Sequence, residues 1–153
     1  MTLTLPALRH TLVADPLKTT VNRIVNTAES LGVEARRERV DVSLHIDLEG
    51  RRIWSITSDM TPEAIRDREE EAWHFPKGVR IVGLARFNGE IIRDGEAVVR
   101  FYGRGYRDPA LLYVARDKDH YTIIFEPFLP RVKVEKGILR RDRDGTYYSS
   151  TSL

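Results

Sequence analysis

Apolar residues at Leu17, Val21, Ile24, Ala28, Leu31 and Ala35 recur in steps of four and three. That spacing draws one stripe along an α-helix. Lys18, Asn22, Asn26, Glu29 and Arg36 occupy the other side. Asp15-Pro16 opens the helix, because Asp can cap the first amides and Pro suits a turn whose N–H has no partner. The pattern fades near Arg39, so it predicts a rod of roughly 37 Å. Upstream, Leu5, Leu8 and Leu12 form a second apolar row, out of phase with the first. A kink near Pro6 or Pro16 reconciles the two rows. The opening run Met1 to Leu8 is an apolar stub that leads into the helix without a loop, and it is read as the remainder of a longer hydrophobic element.

After the helix the period changes to two. Val40, Val42, Leu44, Ile46 and Leu48 alternate with polar residues, which predicts a half-buried strand. Glu49-Gly50-Arg51 turns the chain into a partner strand, Arg52 to Thr57, with Trp54 and Ile56 on one face. Thr61-Pro62 starts a short charged helix running to about Glu71. Strands follow at Val79 to Ala85, Glu90 to Arg93 and Ala97 to Tyr102, with Asn88-Gly89 and Asp94-Gly95 as turns. Leu111 to Arg116 and Tyr121 to Glu126 form a hairpin, Val132 to Glu135 a last edge strand, and the polar residues from Arg140 a mobile tail. Short turns between strands imply antiparallel pairing. The expected fold class is α+β: a long N-terminal helix whose Leu17-to-Ala35 stripe packs on antiparallel strands.

At 153 residues, with 41% apolar and 31% charged residues, the chain can bury one core and is not disordered as a whole. A net charge of +2 does not by itself imply a nucleic-acid partner. The absence of cysteine excludes disulfides, thiolate metal sites and cysteine nucleophiles. The sequence contains no run of about 20 apolar residues able to span a bilayer.

Several runs in order resemble one family. Leu3-Thr4-Leu5-Pro6-Ala7-Leu8 is similar to the end of a pilin N-terminal segment, where an apolar run meets a proline within the helix. Leu31 to Val40, followed by the Val42 strand, resembles a helix-to-first-strand passage. Phe75-Pro76-Lys77-Gly78-Val79 looks like an aromatic-Pro-x-Gly-Val run, and Phe101 to Gly105 like a Phe-x-x-x-Gly run. The hairpin Leu111 to Phe125 stands where the family's last strong strand pair stands. Over residues 2–137 the chain resembles type IV pilin-like proteins, specifically the H-type minor pseudopilins of type II secretion (the GspH/FimT family). It departs from them in lacking the Gly-Phe-Thr-Leu-x-Glu processing site and most of the membrane helix, which is read as truncation. Glu126-Pro127-Phe128-Leu129-Pro130 replaces the Asp-Pro-x-x-Gly ending.

The resemblance implies a non-enzymatic structural subunit without cofactors, forming one domain over 1–153: helix 1–39, β head 40–136 and polar tail 137–153. Such a protein is cut by a prepilin peptidase, methylated at its new N-terminus and held by a single span in the inner membrane, with its head in the periplasm. It joins the pseudopilus near the tip, with other minor pseudopilins and the major one as partners. In that setting Leu3, Leu5, Leu8 and Leu12 are filament-core contacts. An ordinary core helix is the plainer reading of the same residues. Glu69, Glu70 and Glu71 beside Trp73 are a first choice for a subunit contact, against the plainer reading of a solvated helix face.

The remaining chemistry is sparse. His10, His45, His74 and His120 show no metal-ligand spacing and read as surface residues. Asp142-Arg143-Asp144-Gly145 has half a calcium loop, without the terminal Glu, and reads as a turn. Gly103-Arg104-Gly105 lacks the Lys-Ser/Thr of a phosphate loop, and no Gly-x-Ser-x-Gly elbow occurs. The basic residues Arg140, Arg141 and Arg143, followed by Tyr147 and Tyr148, raise an alternative: a FimT-like pilin binding DNA through its C-terminal tail. Asp142 and Asp144 dilute that charge, and a solvated tail is the preferred reading.

Overall fold

A computed structural model describes residues 15–153. The predicted helix is α1, Pro16–Glu38. The Asp15 side chain accepts from the Leu17 amide at 2.9 Å, and Pro16 occupies the first turn. Arg39 ends the helix in the left-handed conformation (φ 55°, ψ 41°), its N–H returning to the carbonyl of Ala35. The whole stripe from Leu17 to Ala35 is no more than 6% exposed. Thr20 is also fully buried, and its hydroxyl donates to the Pro16 carbonyl at 2.8 Å, so no polar atom is left without a partner there.

Two antiparallel sheets share this helix. The first has the order β3-β2-β1-β6, built from β1 (Val42–Asp47), β2 (Arg52–Thr57), β3 (Trp73–His74) and β6 (Glu96–Phe101). The second has the order β5-β4-β7-β8-β9, from β4 (Val79–Arg86), β5 (Ile91–Ile92), β7 (Ala110–Arg116), β8 (Asp119–Phe125) and β9 (Lys133–Lys136). A short helix, α2 (Pro62–Glu70), capped by Thr61, lies between β2 and β3 and buries none of its residues.

One core joins the α1 stripe to Val42, Leu44, Ile46 and Ile53 of the first sheet and to Leu84, Leu112, Val114 and Phe125 of the second. The register Ile46↔Ile53 puts Ile53 on that core face. Trp54 and Ile56 therefore share the opposite face, where Trp54 pairs with His45.

The polar segment after Gly137 is the main departure from expectation. It is not a mobile tail but a hairpin of β10 (Ile138–Arg141) and β11 (Tyr147–Ser150). The reason is a second apolar layer. Strand β7 reads Ala-Leu-Leu-Tyr-Val-Ala and is buried on both faces. Its outward Leu111 and Tyr113, together with Ile124, need a cover, and Ile138, Leu139, Tyr147 and Leu153 provide it. Thr122, fully buried, ties the layers together by donating to the Gly137 carbonyl at 2.8 Å and accepting from the Leu139 amide at 3.0 Å. Tyr113 donates to the Leu139 carbonyl at 2.8 Å.

The sheets are joined to the helix end by the β6–β7 loop. A Cβ on Gly103 would stand 2.9 Å from the Arg39 carbonyl carbon, so only glycine permits this approach. The Gly103 amide donates to Asp41 Oδ1 at 2.9 Å.

Replacing Ile24, fully buried at the middle of the stripe, by Ala is expected to cost about 2–5 kcal/mol. Ser30→Ala on the exposed side should stay within about 0.5 kcal/mol. Urea unfolding of both variants, at constant slope, checks this.

Candidate functional site

Leu3, Leu5, Leu8 and Leu12 lie outside the described residues. The helix-packing residues are all in the core, as reported above.

The fold divides the acidic run, turning Glu69 toward β2 and leaving Glu71 beside Trp73. Glu69 faces Arg52: its Oε1 lies 3.3 Å from Arg52 Nη2, and its carbonyl accepts from Nη1 at 3.3 Å. Arg52 also meets Asp47 at 3.1 Å and sits 5.0 Å over the Trp54 ring. The Gly50 amide bonded to Asp47, helped by Arg52, holds that carboxyl below its ordinary range. Trp73 instead packs on α1, where the Arg23 guanidinium stacks 4.1 Å over its ring. Glu71 and Trp73 line one open cleft with Arg23, Thr27 and Arg68, while Glu70 is exposed.

The C-terminal arginines are gathered by the hairpin. Arg140 and Arg141 lie on β10 and Arg143 in its turn, and with Arg86 they line a groove beside Phe87 and Tyr113. Arg141 is stacked 4.2 Å over Phe87. Asp142 Oδ1 accepts from the amides of Asp144 and Thr146 at 3.0 and 2.9 Å, so the half calcium loop is a side-chain-capped turn. Among the described residues no cluster of three or more acids and histidines could hold a metal.

One constellation escaped the sequence reading. His45 is only 18% exposed in its side chain, not a free surface histidine. Its Nδ1 lies 2.5 Å from Glu96 Oε1 and its Nε2 lies 2.9 Å from Ser43 Oγ, while its ring stacks on Trp54 at 5.4 Å. Acid, imidazole and hydroxyl are connected as in a hydrolase relay. The surroundings do not complete one. Strand β1 is central, so its amides are committed to β2 and β6 rather than to an oxyanion. The hydroxyl also faces the Ile56 carbonyl at 3.4 Å. The array is a cross-strand polar ladder roofing Trp54, whose buried Nε1 has no partner among the described residues. The outward alternation Ser43-x-His45 on one strand was visible in the sequence. The register that brings Glu96 beside it was not.

A second feature also escaped it. Arg107 is 5% exposed and lies below the loop between β8 and β9. Its guanidinium donates to the carbonyls of Glu126 at 2.8 Å, of Arg131 at 2.9 Å, and of Leu129. Burial lowers its pKa, opposed by Glu29 and Glu126 nearby. Glu29 completes the clamp by accepting from the Val132 amide at 3.0 Å. An irregular loop containing Pro127 and Pro130 is thereby tied to the core at four backbone positions.

This architecture, one long helix laid over two antiparallel sheets, is a pilin-like α+β head. No family model matches the chain, and no curated protein matches it by sequence. Two solved structures of the minor pseudopilin EpsH from the type II secretion system of Vibrio cholerae are similar to it. One aligns at a TM-score of 0.55 and 13% identity, covering 76% of this chain and 97% of EpsH. The other aligns at 0.54 and 13%, covering 89% and 96%. The chain thus has a GspH-like pilin fold. Among the described residues no helix is long and apolar enough to cross a membrane.

Two tests follow from this geometry. Arg107→Ala leaves three carbonyls without their donor and should cost about 2–4 kcal/mol. Amides of Phe128, Leu129 and Arg131 should gain the most hydrogen exchange in that variant. Tyr113 has its pKa pushed up to about 12, chiefly by burial. The unfolded chain releases this proton near 10 while the folded chain keeps it, so stability is full below pH 10 and falls as pH rises toward 12. Tyr113→Phe should flatten that alkaline limb in urea titrations between pH 9 and 11.

Proposed function

We propose that this protein is a non-enzymatic minor pseudopilin, a structural subunit of a type II secretion pseudopilus, near its tip. The observation that carries the reading is the likeness to EpsH over 97% of that chain. A helix buried along one side only is consistent with it, since Asn22, Asn26 and Ser30 remain available to neighbours. In this reading Leu3, Leu5, Leu8 and Leu12 belong to the filament core, and the helix continues into an inner-membrane anchor with the head in the periplasm. Other minor pseudopilins and the major pseudopilin are the partners. The cleft of Glu71 and Trp73, with Glu70 beside it, serves as one contact.

The DNA-binding alternative is not adopted. Arg141 is engaged by Phe87, and Asp142 and Asp144 sit among Arg140, Arg141 and Arg143.

Deleting the native gene should lower release of secreted enzymes into the medium at least tenfold, with the enzymes retained in the periplasm. Restoring the gene should recover release, and Glu70→Lys with Glu71→Lys should recover it only partly. Normal secretion by the deletion strain overturns the reading.

A further inference from the structure

Between the C-terminal half of α1 and the loops β6–β7 and β8–β9 lies a cleft lined by Val33, Tyr102, Tyr106, Phe128, Leu129 and Pro130. Large apolar side chains are unusually open here. Phe128 is 79% exposed, Val33 50%, Leu129 43% and Tyr106 39%. These are four of the six exposed large hydrophobics among the described residues, and they come from three separate segments. Exposed apolar groups gathered in one place mark a contact surface more than scattered ones do.

The cleft is built to keep its shape. Arg107 and Glu29 clamp the β8–β9 loop from beneath, as described above. Tyr102 is fixed by donating to Asp108 Oδ1 at 2.9 Å, and Tyr106 stacks on it with ring centres 4.5 Å apart. Phe128 leans on Tyr106 at 6.4 Å. A preformed surface of this kind binds without first ordering its own loops. Its volume, about 50 Å³, is far below that of a small-molecule pocket and suits a single inserted side chain.

Charge then narrows the occupant. Arg36 lines the cleft, and Arg104 and Arg131 are exposed on the two loops that form it. None of the three makes an ion pair among the described residues. The acids close by are already engaged: Glu29 by the Val132 amide, and Asp108 by Tyr102 and the Arg100 amide. We infer that this cleft docks a segment of another protein that carries an apolar or aromatic side chain flanked by carboxylates. The ring or branched chain enters between Tyr106, Phe128 and Leu129, and the carboxylates meet the three arginines. Arginine suits this task because its planar fork pairs with carboxylates in two-point fashion.

The test uses the full-length chain labelled with ¹⁵N and titrated with a capped peptide, Glu-Glu-Leu-Phe-Glu-Glu, and with its counterpart bearing Lys for every Glu. The acidic peptide should give saturable shifts confined to the amides of residues 33–36 and 102–107 and of Phe128, Leu129 and Arg131, weakened by added salt. Phe128→Ser should weaken binding at least fivefold, and Arg104→Glu with Arg131→Glu at least as much. These side chains are exposed, so the variants should fold, which the rest of each spectrum checks. No saturable shift from the acidic peptide, or an equal response to the lysine peptide, overturns the inference. A dimer in sedimentation that Phe128→Ser dissolves assigns the cleft to a second copy and overturns it as well. The inference does not depend on the secretion reading. Binding by a protein dispensable for secretion upholds the first and removes the second, and a secretion subunit blind to the peptide does the reverse.

Discussion

The structure depends on one constraint: a single apolar stripe on α1 is the shared wall of two sheets. Each fully buried Leu, Ile or Val in such a place contributes roughly 1.5–3 kcal/mol, and the stripe presents them to both sheets at once. The sheets also meet each other at its margin, where Phe101 of β6 stands edge-on to Phe125 of β8 with ring centres 6.5 Å apart. The small residues mark where contact must be closest. Ala28 and Ala35 are fully buried between the larger side chains, Gly32 lies against Phe101, and Gly103 lets the β6–β7 loop meet the end of the helix. Packing of this density tolerates little change in volume.

Four polar groups drawn into the interior are paired, whereas the buried Trp54 Nε1 has no partner among the described residues. Thr20, Thr122, Tyr113 and Arg107 each have a partner, and three of the four fasten an irregular or peripheral segment to the core. Thr122 and Tyr113 hold the C-terminal hairpin, and Arg107 holds the loop that carries Phe128. Such bonds add little net energy each, but leaving one of these groups unpaired would be expensive. The outcome is a head whose C-terminal hairpin and β8–β9 loop are both hydrogen-bonded to the core.

That rigidity bears on function. The Ser43–His45–Glu96 ladder has a relay's connectivity on a strand whose amides are committed to β2 and β6. What the molecule presents instead are faces: an open flank of α1, a cleft beside Trp73, an aromatic cleft beside Phe128, and an arginine-lined hairpin. In the proposed role, a polymer subunit would meet several neighbours at once through faces of this kind.

Periodicity determined the long helix and its buried side and, with turn residues, eight of the eleven strands among the described residues, because burial on one face writes a period of 3.6 or 2 directly into the residues; Asp15-Pro16 marked the cap. It determined the α+β class for the same reason. The tertiary structure decided everything that rests on contacts between distant positions. The segment after Gly137 looks too polar to fold, yet Ile138, Leu139 and Tyr147 suffice once β7 offers its outer face. Arg107 reads as a loop residue until three carbonyls from a loop some twenty residues later converge on it. Glu96 joins His45, and Phe128 joins Tyr106, only through strand register and loop placement. Sequence periodicity is local, whereas a site is an encounter between remote parts of the chain that no local pattern records.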